Sequence, residues 1–204
     1  MRAAVQSYPR ITGLVGGKSL VIGGMLWWLG AMNVQTPIYF HNPIPSTISG
    51  IFILLGASIL AIGIANETGI VGGSTVGKFA LILFGARNLV LMLAGPFLYS
   101  LSVQWFAIVV GGALEVLFAA AGLVATLSVW RAGVVPRLSR IVLLVVALLF
   151  AITSTLMLLP IIDMLPLWAL IHIPHVVAIA VIVLGLTFIV QGFATQRQPK
   201  ESRS

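Results

Sequence analysis

The chain has no cysteine, which excludes disulfides, thiolate metal sites and cysteine nucleophiles. It is also poor in acid: four Asp and Glu stand against eleven Lys and Arg, and charged residues make up 7% of the 204. A water-soluble body of this length carries about a quarter of its residues charged. There is too little polar surface here to cover one. Stretches alternating with period two are missing from the long apolar runs, which removes a membrane β-barrel. No Gly-x-Ser-x-Gly elbow, P-loop or dinucleotide fingerprint occurs. No polar segment is long enough to build a second domain.

What is present is apolar sequence, 60% hydrophobic with a mean hydropathy of +1.16. Six runs approach the roughly 20 residues that a membrane-crossing helix needs. They fall at Leu14–Val34, Ser46–Ala65, Gly77–Leu98, Trp105–Trp130, Ser139–Leu159 and Leu167–Phe193. The short connections hold the turn-formers, among them Pro37, Pro43, Pro45, Gly72, Gly73, Gly133, Pro136, Pro160 and Pro166. The expected fold class is therefore all-α: a polytopic integral membrane bundle of six transmembrane helices in a single transmembrane domain. The first run is expected to stay uncleaved, because Met32–Gln35 offers no small-x-small signal-peptidase site.

The basic residues set the orientation. Arg2, Arg10 and Lys18 precede or open the first run, and Lys78 lies at the second connection. Arg131, Arg137 and Arg140 flank the fourth, and Arg197, Lys200 and Arg203 sit in the tail. The alternate connections have no Lys or Arg. Basic loops stay cytoplasmic, so both termini are expected inside the cell membrane. This spacing between apolar runs also accounts for the net charge of +7 without a nucleic-acid partner. The basic tail 195–204 is expected to be disordered and to lie on anionic headgroups, making membrane lipids the first partner. Tyr39, Phe40, Phe97, Tyr99, Trp105, Phe106 and Trp168 gather at the opposite boundary as interfacial anchors, with Trp130 as an inner counterpart.

One basic residue does not fit the loops. Arg87 lies inside the third run and Glu115 inside the fourth. A charge at membrane depth is costly and has a partner. At 1.5 Å per residue Arg87 stands about 13 Å above Lys78 and Glu115 about 20 Å above Trp130, close enough for an arginine to bridge. Gly111, Glu115, Ala119 and Gly122 share a helical stripe whose small residues let another helix approach. Asn88 is turned about 100° from Arg87 and is expected to serve a different neighbour. The pair can be a pin between two helices or the charged floor of a cavity.

A second polar group opens the sixth run. His172 and His175 are three apart and share a face, with Pro174 between them and Asp163 just upstream; His41 lies in the first connection. Two histidines and a carboxylate can ligate a divalent transition metal, giving His172, His175 and Asp163 as candidate ligands. The spacing lacks the glutamate-bearing helix motif of zinc hydrolases, and hydrogen bonding to neighbouring helices is the plainer use. Thr153, Ser154 and Thr155 form a hydroxyl notch on the fifth helix, either bonded to their own backbone or lining a cavity. Glycines in the first helix (Gly13, Gly17, Gly23, Gly24, Gly30) allow close packing within the bundle or against a membrane-protein partner.

These features rank three functions. The first is binding or transport of a small molecule in a polar cavity among helices three to six, using Arg87, Asn88, Glu115, Thr153, Ser154, His172 and His175. The second is a membrane-embedded enzyme on a lipophilic substrate, with Glu115 or His175 as acid or base; salt bridging of Glu115 argues against it. The third is a non-catalytic subunit of a membrane complex. No cofactor is expected.

Overall fold

A computed structural model describes residues 9–32, 43–100, 104–158 and 166–194. It contains six helices: α1 (Arg10–Met32), α2 (Pro43–Ile62), α3 (Thr75–Ser100), α4 (Gln104–Ala132), α5 (Arg137–Leu158) and α6 (Leu167–Ala194). Each is long and apolar enough to cross a membrane, and no strand occurs among the described residues. Outward faces expose Phe79, Leu93, Leu127, Leu148 and Val190, a surface suited to lipid rather than water. Tyr39, Phe40, His41, Asp163 and the tail 195–204 lie outside the described residues.

The helix ends have local causes. Pro43 and Pro45 occupy the first turn of α2, where their missing N–H groups would have had no helical partner. That helix stops at Ile62 rather than running to Ala65, because Gly63 (φ 87°), Ala65 (φ 53°) and Asn66 (φ 65°) turn left-handed. α3 begins two residues earlier than the apolar run, with Ser74 as its cap: Ser74 Oγ accepts the Gly77 N–H at 3.0 Å. α1 begins four residues earlier than its apolar run for a reason outside its own sequence. Glu67, in the loop after α2, accepts the Ile11 N–H (2.9 Å) and the Thr12 N–H (2.7 Å) on its two oxygens. A carboxylate there satisfies two orphan donors and faces the positive end of the helix dipole. Thr12 Oγ1 returns the contact by accepting the Ile64 N–H at 3.1 Å.

Successive helices run antiparallel and pack in sequence order, and α6 closes back on α1 to complete a ring. The closure rests on paired glycines one heptad apart. Gly16 and Gly23 face α2, while Gly17 and Gly24 face α6. A Cβ at Gly17 would stand 2.7 Å from the carbonyl oxygen of Gly185, and one at Gly185 would stand 2.6 Å from that of Gly17. Only bare backbones can approach so closely, so α1 is a wedge gripped on two sides within the bundle. Inside the ring Leu60, Ile70, Val71, Val129, Leu143 and Phe188 are fully buried, all toward the end where α1 begins and α6 finishes. Ser139 Oγ donates to the Gln191 side chain at that same end, tying α5 to α6.

Candidate functional site

Arg87 projects from the middle of α3 toward α4 and meets Glu115 side-on. Nη2 donates to Oε1 at 2.7 Å and Nε donates to Oε2 at 2.9 Å. The two side chains are only 12% and 14% exposed, so the pair is inside the bundle. Ser154 on α5 donates its Oγ proton to Glu115 Oε2 at 2.6 Å, which draws a third helix into the contact. The guanidinium carbon sits 4.9 Å from the ring centre of Phe150, in cation–π geometry. Phe150 meets Phe84 edge-on at 5.0 Å and Trp27 at 5.9 Å, so an aromatic tier crosses the ring beneath the ion pair.

Two charges taken out of water repay their desolvation only when geometry is good and the remaining valences are filled. Glu115 meets that condition with three accepted hydrogen bonds. Arg87 does not use itself up. Of its five N–H donors, two go to Glu115 and one from Nη1 goes to Asn88 Oδ1 at 3.3 Å. Two N–H donors remain, and Arg87 borders a cavity of 160 Å³.

The other polar linings of that cavity are Trp27, Ser46, Ser49, Asn88 and Thr153, and the apolar wall is Leu91, Met92, Ile173, Pro174 and Val177. Ser49 donates to the Gly23 carbonyl (2.7 Å) and Thr153 to the Phe150 carbonyl (3.0 Å), so both hydroxyl protons are engaged. Ser46 differs. Its Oγ is buried with no hydrogen-bond partner, and the residue is 4% exposed. An unpaired buried hydroxyl costs about 1–3 kcal/mol.

The geometry departs from the sequence expectation in four places. The cavity is not confined to α3–α6, since α1 and α2 supply Trp27, Ser46 and Ser49, while among the described residues α4 meets it through Glu115 behind Arg87. Asn88 serves Arg87 itself rather than a separate neighbour. Ser154 binds Glu115 rather than its own backbone or the cavity, while Thr153 and Thr155 bond to their own backbone as one of the two expected uses and Thr153 also lines the cavity. On the Glu115 stripe, Gly122 admits Phe84 and Ala147, but among the described residues nothing stands within 4 Å of where a Gly111 Cβ would lie.

The histidines stand apart from this cavity. His172 is exposed and His175 half-buried, their ring centres 6.0 Å apart. Ile173, Pro174 and Val177 line the cavity, and at 100° per residue His172 and His175 fall on the opposite face of α6. Among the described residues no three His, Asp or Glu side chains gather in a metal-binding group, and Asp163 lies outside them.

Sequence reasoning missed Trp27, Ser46, Ser49, Phe150 and the cap at Glu67. A faint signal existed for one pair, since Ser46 and Ser49 are three apart on one face of an otherwise apolar helix. Comparison with known protein families, curated proteins and solved structures finds no match to this chain. The site carries the argument alone.

Proposed function

We propose that this chain is a multi-pass protein of the cell membrane that binds or transports a small molecule in the cavity bounded by α1, α2, α3, α5 and α6. One observation carries the reading: Arg87 is anchored by Glu115 yet keeps two N–H donors beside a cavity whose lining also includes the polar side chains of Asn88 and Thr153. A pair serving only to pin two helices needs no adjoining hollow. Mostly apolar walls with a few fixed polar groups are the usual composition of a small-molecule site. The placement of Glu115 favours binding over catalysis, because it does not line the cavity and both its oxygens already accept hydrogen bonds from Arg87 and Ser154. The glycines of α1 that contact α2 and α6 are engaged inside the bundle, which gives a helix-one partner no support from those positions.

Both termini are placed on the cytoplasmic side, on the strength of the basic residues at that end of the bundle. Because the chain lacks cysteine, Ser202→Cys supplies a unique thiol. It should resist an impermeant maleimide in intact cells and react after permeabilisation.

Native mass spectrometry of protein purified in mild detergent tests the binding reading. The parent should carry a small-molecule adduct that Ser46→Phe, which fills the cavity, lacks while remaining monodisperse. Identical adduct patterns in the two proteins overturn the assignment of the site.

A further inference from the structure

We infer that the cavity takes a neutral ring compound bearing a carbonyl group, its oxygen held by Arg87 and Asn88. This rests on the binding function proposed above and specifies its ligand class.

The first ground is the donor count. Asn88 turns Oδ1 toward Arg87, which leaves its NH₂ group as the free end of a side chain that borders the cavity. With the two spare N–H groups of Arg87, the cavity offers four side-chain N–H donors, two from the guanidinium and two from the amide. The hydroxyl protons of Ser49 and Thr153 are already given to backbone carbonyls, and Ser46 Oγ is buried away from the hollow. A ligand satisfying this set must present an acceptor oxygen.

The second ground is charge. Among the described lining residues the single formal charge is on Arg87, and Glu115 neutralises it through two hydrogen bonds. An anion entering here would be stripped of water without a net positive charge to receive it, and that cost is large in a low-dielectric interior. A carbonyl oxygen accepts the same hydrogen bonds without that penalty.

The third ground is shape. The rest of the wall is Trp27, Leu91, Met92, Ile173, Pro174 and Val177. At 160 Å³ the hollow is about the size of an apolar cavity of roughly 150 Å³ known to accept benzene. An indole and a proline ring beside flexible Met92 suit a flat ring.

Three probes matched in shape and heavy-atom count separate these grounds: acetophenone, its alkene isostere α-methylstyrene, and benzoate. Each is titrated by ligand-observed NMR into the full chain in lipid nanodiscs, with empty nanodiscs as the baseline for partitioning. Acetophenone should bind saturably and at least about tenfold tighter than α-methylstyrene, the difference expected from one well-made buried hydrogen bond. Benzoate should bind more weakly than acetophenone. Asn88→Leu should weaken acetophenone several-fold while leaving α-methylstyrene unchanged, and Ser46→Phe, which fills the cavity, should remove saturable acetophenone binding. Equal binding of acetophenone and α-methylstyrene overturns the carbonyl assignment while leaving an apolar binding cavity. Benzoate binding tightest overturns neutrality. Acetophenone binding undiminished in both variants overturns the placement. Failure of all three probes to saturate overturns this inference and the binding function together.

Discussion

The two halves of this bundle are built on opposite rules. In the half containing the described chain ends, large aliphatic side chains meet across the ring axis and leave a hollow of 30 Å³ lined by such residues as Leu60, Ile70, Leu143 and Phe188. In the other half, beyond Phe150, α1, α2, α3, α5 and α6 leave 160 Å³ edged with polar groups. The tier of Trp27, Phe150 and Phe84 divides them. A membrane bundle gains little from hydrophobic burial, since lipid is as apolar as its own core, and depends on close packing and fixed polar contacts. The filled half supplies the packing. The hollow half is stabilised by the ion pair and gives up contacts that a purely structural bundle would have kept.

The comparison can be broken most directly at the ion pair. Glu115→Ala leaves Arg87 charged and unpaired inside the bundle, and breaking a buried pair costs about 3–5 kcal/mol. Thermal denaturation in detergent should show the largest loss of any substitution here. The double change Arg87→Met with Glu115→Leu should recover most of it. Full stability in Glu115→Ala would mean that the two halves are not held by different means.

Packing gives the next effect. Leu60→Ala opens a void in the filled half and should cost about 2 kcal/mol, most of it lost contacts rather than transfer to water. The cap at Glu67 follows. Glu67→Ala frees two N–H groups at the start of α1 and should cost about 1 kcal/mol, read as earlier hydrogen exchange of Ile11 and Thr12. Met92→Ala should have the smallest effect, below about 1 kcal/mol, because its neighbours already border a hollow. If Met92→Ala proves as costly as Leu60→Ala, the contrast between the halves fails.

Much of the architecture was open to inspection in the chain. Runs of apolar residues have to become helices in a bilayer, because nothing else satisfies their backbone groups. That fixed six helices and their approximate limits. Arg87 and Glu115 were legible as partners for a similar reason: few residues of either charge exist, and two at membrane depth on consecutive helices have little choice. Boundaries were less legible where the cause lay elsewhere, as at Arg10, whose helix starts because Glu67 is folded over it. Asn88 was misjudged by angular reasoning, which treats a side chain as a radial spoke; Arg87 bends back far enough for Nη1 to reach it.

By itself, the order of apolar and basic residues determined the helix count, the alternation of direction and the presence of an internal charge couple, since these depend on local composition and one helical period. Which helices surround the cavity was decided only by closure of the ring. Glycines at 16, 17, 23 and 24 let α1 sink between α2 and α6, and that approach brings Trp27, Ser46 and Ser49 to Arg87 while the phase of α6 carries His172 and His175 away. Contacts between helices distant in sequence depend on which backbones can touch, and no single run records that.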